Sequence, residues 1–142
     1  MTFISITRLR VRSWRYLPSF FVHAIRSARQ ARATVGNLGV SVLREAGNIF
    51  WTRTAWDSEA SMKSFMLAGV HRKVMRNLME WCDEAAVAHW TQESPQPPSW
   101  QEAHEQIVRI GRPSKVNHPS EAHRLSQVTT PQVAPGRELR WK

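Results

Sequence analysis

An α+β fold with its elements in the order βαββαβ is predicted by three features of this 142-residue sequence. Thr7-Arg8-Leu9-Arg10-Val11-Arg12 alternates side chains with the period of a strand. Leu17, Phe21, Ala24, Ala28, Ala31 and Val35 recur at helical spacing. Phe50 to Trp56 (FWTRTAW) is a β-branched and aromatic run that ends at the polar break Asp57-Ser58-Glu59, where a second helical pattern begins.

Each element has its own signal. The first strand runs from Phe3 to Trp14, and Pro18 sits where the following helix can open. Gly36-Asn37 stops that helix. Leu38 to Arg44 is the second strand, and Ala46-Gly47-Asn48 supplies a hairpin turn because Gly and Asn tolerate positive φ. Ile49 to Trp56 is the third strand, and Asp57 or Ser58 caps a short helix that breaks at Ala68-Gly69. A second helical piece continues from Val70 to about Asp83, and Ala86 to Gln92 is the fourth strand. In a ferredoxin-like arrangement of this order, strands one and three are central and the helices cover one face. Residues 1–93 form this domain. Residues 94–142 form a C-terminal arm: Ser99-Trp100-Gln101-Glu102 has the form of a capping box for one short helix to about Ile110, and a largely irregular, proline-rich remainder follows.

Composition narrows the function. Hydrophobic residues at 42% support a core, and the formal charge is +9. The excess lies early: no acid precedes Glu45, whereas arginines recur from Arg8 to Arg44. Such a chain suits nucleic acid, anionic lipid or an acidic small molecule. Nucleic acid is disfavoured, because Arg26, Arg29 and Arg32 form a drifting band and the strands show no base-stacking platform. The lone Cys82 excludes an internal disulfide and a multi-cysteine metal site, and its neighbours Asp83 and Glu84 raise its pKa. No apolar run reaches the roughly 20 residues of a membrane span, and the N-terminus lacks signal-peptide order, so a cytoplasmic protein is expected.

Three groups of residues could carry chemistry. His71 falls on the inward arc of its helix with Val74 and Leu78, near the N-terminus, where the helix dipole favours a neutral ring. A neutral imidazole suits a base, a metal ligand or a haem ligand; a core hydrogen bond or a cap on its own helix is the reading a single histidine without partners favours. Arg8, Arg10 and Arg12 project from one face of a central strand and must be solvated, paired with acids or aimed at an anion. Trp51 and Arg53 share one face of strand three, while Phe50, Thr52, Thr54 and Trp56 share the other. These flat walls suit a small-molecule site or an ordinary core.

The βαββαβ order, the TAW-DSEASMKSF junction and the Gly-Val-His restart resemble the dimeric α/β-barrel superfamily over Phe3 to Gln92. That superfamily includes antibiotic-biosynthesis-monooxygenase domains, small haem-degrading monooxygenases and spheroidene monooxygenase. The phrase GRPSKVNHPSEAH is similar to the extension of an uncharacterised, monooxygenase-like bacterial family. The resemblance implies a homodimer whose two sheets close into a barrel, with each pocket between a sheet and its own helices. His71 stands where many monooxygenase-type relatives carry a histidine. Thr7, Phe65 and Met75 stand where the haem-degrading branch uses asparagine, tryptophan and histidine, which disfavours haem cleavage. The expected function is therefore a monooxygenase-like protein binding a flat apolar or conjugated substrate, with no cofactor or with haem. His71 would be base or haem ligand, Arg10 or Arg53 would hold an anionic oxygen, and Trp51, Phe65, Thr7 and Trp56 would line the site. The alternative is a non-catalytic homodimeric binding or scaffold protein of the same fold.

Overall fold

The computed structural model describes residues 1–134 and 136–141, with the side chains of 69–71 left out of the description. Strand β1 (Thr2–Val11) is followed by a 3-10 turn at Trp14–Tyr16 and helix α1 (Leu17–Ala33). Strands β2 (Asn37–Glu45) and β3 (Ile49–Trp56) form a hairpin, then come helices α2 (Glu59–Met66) and α3 (Gly69–Trp81) and strand β4 (Cys82–Gln92). Helix α4 (Trp100–Ile110), the two-residue strand β5 (Arg112–Pro113), helix α5 (Glu121–Arg124) and strand β6 (Glu138–Trp141) complete the chain. The six strands form one antiparallel sheet in the order β5-β4-β1-β3-β2-β6, so β1 and β3 are central and the fold is the α+β, ferredoxin-like one.

Local chemistry explains the boundaries. The β2–β3 turn holds Gly47 at φ 81 and Asn48 at φ 63, backbone that a β-branched residue would strain to adopt. Helix α1 ends at Ala33 with Thr34 as its cap; Gly36 (φ +93) sits in the turn that follows, and a Cβ there would lie 2.3 Å from the Ser61 hydroxyl. Its carbonyl accepts from the Asp57 amide at 2.8 Å, which ties the end of α1 to the start of α2. Ser58 caps α2 by accepting from the Ser61 amide, and Ser99 caps α4 by accepting from the Glu102 amide. Strand β4 begins at Cys82, four residues earlier than helical periodicity suggests, so Asp83 and Glu84 lie on a strand. A register irregularity at Arg10/Val11 ends the alternation of β1: Arg12 leaves the Arg8–Arg10 face, and its guanidinium bonds Glu80 and the Tyr16 hydroxyl instead.

Both faces of the sheet are covered. On the front, α1 and α2 bury Phe3, Val40, Trp56, Met62 and Phe65 in one cluster. A second front cluster joins Val11, Phe20, Phe50, Cys82 and Ala85. On the back, α4 lays Trp100, Ala103 and Ile107 over Ile4, Ile6, Leu43, Trp51 and Ala88. The chain then rounds the β4 edge, where the Ser114 amide donates to Ala85 and the Ser120 amide to Asp83. It finally pairs as β6 with β2, Val42 opposite Leu139. The face that barrel closure would give to a second copy is thus occupied by the chain's own α4, and closure by a partner would require α4 to leave. Among the described residues, no helix is long and apolar enough to cross a membrane.

Candidate functional site

The residues singled out by sequence lie on both faces of the sheet. Arg10, Arg53 and Trp51 are on the back, Thr7, Trp56 and Phe65 on the front, and the His71 side chain lies outside the described residues. They do not line one cavity.

The back-face cations are engaged by acids of the same chain. Arg8 is 2% exposed and donates to Glu84 Oε1 at 2.8 Å, and Arg10 donates to Oε2 of the same carboxylate at 2.8 Å. Glu84 also accepts from the Ser120 hydroxyl, and Arg8 reaches Thr129, so this network ties the tail to β1 and β4. Arg53 is 4% exposed. It donates to the Pro98 carbonyl at 2.6 Å, to Ser41 at 3.1 Å and to Glu138 at 3.0 Å, while its guanidinium lies 4.4 Å from the Trp100 ring centroid. The same Glu138 oxygen accepts from Trp100 Nε1 at 3.0 Å. Trp51 is fully buried, with its indole N–H on Glu45 at 2.5 Å. The oxyanion role expected of Arg10 and Arg53 would need guanidinium donors aimed at substrate; here Arg10 is turned to Glu84 on β4, and the two terminal nitrogens of Arg53 hold Pro98 and Glu138 of the C-terminal segment.

These carboxylates titrate accordingly. Burial opposes ionisation of Glu84 and Glu138, yet hydrogen bonds from Arg8 and Arg10 in the first case, and from Arg140 and Trp100 in the second, outweigh it and hold both below the usual 4.5. A depressed carboxyl pKa contributes stability that is complete above the unfolded value and is lost as pH falls through the folded one. Limited proteolysis is therefore expected to cleave the 94–142 segment faster as pH drops below about 4.5, with little change between pH 5 and 7. A cleavage rate that stayed flat down to pH 3 would show that these pairs do not hold the segment. Cys82, buried beside Asp83, has its thiol pushed up to about 12 and is no nucleophile.

The front face carries the open space. Trp56 is fully buried, stacks on Phe65 at 5.6 Å and donates its indole N–H to Thr54 at 2.9 Å, so both rings belong to the core. Thr7 is half-buried and opposes Thr52, which in turn opposes Val42. That transverse row runs into a cleft of about 380 Å³ between α1 and the β3–β2–β6 edge. Its walls are Phe21, Ile25, Val42, Phe50 and Leu139, and Arg44 and Arg137 bring cations to it. The rings of Phe21 and Phe50 meet edge-on at 5.3 Å, and the Arg44 guanidinium lies 5.1 Å from the Phe21 centroid. Both arginines are exposed, and neither makes an ion pair among the described residues. The cleft can therefore shelter an apolar plate and meet a negative group at its edge. Among the described residues no histidine, cysteine, methionine or tyrosine lines it, so these walls offer no axial ligand for haem.

Sequence reasoning placed Phe50 on the front face but did not find Arg44, Arg137 or Leu139, because the cleft closes only when β6 pairs with β2. His89, also missed, opposes Ser5 on the front face of β4, and burial, then Arg112, holds its pKa below the usual value. Its signal was present in the alternation of AVAHWTQ, which puts it on the same face as Val87.

A family described as a domain of unknown function, DUF3291, matches residues 19–130. No curated protein gives a significant sequence match. Solved structures with the same fold include two proteins named as candidate antibiotic biosynthesis monooxygenases. The one from Nitrosomonas europaea has a TM-score of 0.58 and 14% identity over 66% of this chain and 93% of its own. The one from Bacteroides thetaiotaomicron has a TM-score of 0.59 and 14% identity over 69% and 95%. A cofactor-independent oxygenase from Streptomyces nogalater has a TM-score of 0.54 and 15% identity over 66% and 94%. Each is covered almost whole, whereas about a third of this chain has no counterpart in it.

Proposed function

Because the chain belongs to the DUF3291 family, whose description assigns no activity, we propose a function from its own geometry: a monooxygenase-like protein that binds a flat, apolar or conjugated molecule carrying an anionic group. The observation that carries this reading is the front cleft, with Phe21, Phe50 and Ile25 as walls and Arg44 and Arg137, which make no ion pair among the described residues, beside them. Apolar walls supply affinity in proportion to the area they cover, and the guanidinium groups orient the anion. The oxygenase names among proteins of the same fold support the monooxygenase-like part of this reading.

The probe 8-anilino-1-naphthalenesulfonate, a flat aromatic anion, tests the site. Saturable fluorescence is expected with the full chain. Replacing Arg44 and Arg137 by alanine removes the cationic partners and should weaken binding roughly tenfold, the size of one charge-assisted hydrogen bond. Ala24→Trp fills the cleft and should abolish binding. Unchanged affinity in both folded variants would overturn the assignment.

Binding without turnover is the second reading. It is favoured by the engagement of Arg10 and Arg53, the cations assigned by sequence to an anionic intermediate, with Glu84 and Glu138. Oxygen uptake separates the two. Ligand-dependent consumption that disappears in His71→Ala supports an oxygenase with His71 as base, and binding with no uptake supports a carrier.

A further inference from the structure

The charge of this molecule is unevenly spent. Its buried or tethered cations, Arg8, Arg10, Arg12 and Arg53, are matched by Glu80, Asp83, Glu84 and Glu138. The helical layer is different. Helix α1 contains no acid, and the one acid of α3, Glu80, is held by Arg12 at 2.7 Å and His118 at 3.2 Å. On the outside of this layer Arg15, Arg26, Arg29, Arg72, Lys73 and Arg76 are all exposed, and none makes an ion pair among the described residues. The two helices are neighbours, with the rings of His23 and Trp81 5.3 Å apart, so their exposed outer faces adjoin.

Large apolar side chains stand among them. Trp14 is 73% exposed just ahead of α1, Val22 is 50% exposed on the same sector as Arg26 and Arg29, and Met75 is 43% exposed beside Arg72 and Arg76. Among the described residues, then, these cations are without ion pairs and these apolar side chains are largely in solvent. We propose that the outer surface of α1 and α3 docks on an anionic lipid surface, with the cations against the headgroups and Trp14, Val22 and Met75 in the headgroup–acyl boundary. The interleaving decides the occupant: phosphate contacts to a nucleic acid would use the cations and leave the aliphatic Val22 and Met75 in water, whereas an interface takes both. A tryptophan at the edge of a basic helical face is the side chain that sits best at such a boundary. The proposal does not depend on the cleft or on its ligand.

Sedimentation of the full chain with vesicles tests it. Binding is expected to phosphatidylcholine vesicles containing phosphatidylserine and not to phosphatidylcholine alone. It should vanish as salt rises from about 0.1 M to 1 M, where the screening length falls from about 10 Å to 3 Å. Each single change among Arg26→Ala, Arg29→Ala and Arg76→Ala should lower the partition coefficient about fivefold. These positions are exposed, so circular dichroism should remain that of the parent. Trp14→Ala should weaken binding with the charge unchanged. Equal binding to both vesicle types, or unchanged partition in the arginine variants, overturns the proposal. So does unchanged partition in Trp14→Ala, or displacement from the vesicles by a single- or double-stranded oligonucleotide at matched phosphate.

Discussion

Deleting residues 94–142 should leave a chain that self-associates. The back of the sheet presents Ile4, Ile6, Leu43 and Trp51, each 0% exposed in the full chain, and α4 is what covers them. Without α4 these side chains form a contiguous apolar face on a twisted antiparallel sheet, a surface that soluble monomers rarely leave open. Arg53 would lose Pro98 and Glu138 at the same time, and Arg8 would lose Thr129. Size-exclusion chromatography with light scattering should show a dimer or larger species for the truncated chain, and a lower mass for the full one under the same conditions. A soluble, monomeric truncation with the parent's thermal stability would show that α4 is dispensable. The single change Trp100→Ala isolates the anchor: it removes a ring that is 5% exposed, stacked on Arg53 and bonded to Glu138. Its cost should be about 3–5 kcal/mol, or roughly 10 °C in melting temperature for a chain of this size. The extension thus does for this sheet what a second copy would do in a barrel.

The central elements were readable because their signals are local. Gly47-Asn48 marks a turn that needs positive φ, FWTRTAW alternates through all of β3, and Ser99 with Glu102 announces α4. The start of β4 was not readable. Trp81-Cys82-Asp83-Glu84-Ala85 continues a helical rhythm, and acids are poor strand formers, so nothing local ends α3 at Trp81. What ends it is a distant partner: Arg12 donates its amide to the Trp81 carbonyl, and β4 then pairs with β1 along its length. That shift moved Glu84 opposite Arg10, two residues along from the partner of Arg8 and on the same face, and turned an arginine row that could have faced a substrate into a structural ion pair. The cleft was hidden for the same reason. Val42 and Phe50 are separated from Leu139 by most of the chain, and no periodicity links residues joined only by a sheet edge.

Glu84→Ala should be among the most damaging single substitutions in the protein. Its carboxylate faces two guanidiniums, and Arg8 cannot reach water at 2% exposure. Removing one partner of a buried pair leaves an uncompensated charge and costs about 3–5 kcal/mol, whereas replacing both by apolar residues is often close to neutral. The double variant Arg8→Met/Glu84→Met should therefore be more stable than Glu84→Ala alone, although it lacks more hydrogen bonds. Arg10, with 43% of its side chain exposed, can turn to solvent and adds little to the loss. Urea unfolding of the three proteins measures this directly. Glu84→Ala within about 1 kcal/mol of the parent would mean that Arg8 finds another acceptor. The comparison also bears on function. If Arg8 and Arg10 serve only the fold, the double variant should bind the aromatic anion in the front cleft with the parent's affinity, because the sheet separates the two sites. Loss of that binding in a folded double variant would return the arginine row to the ligand.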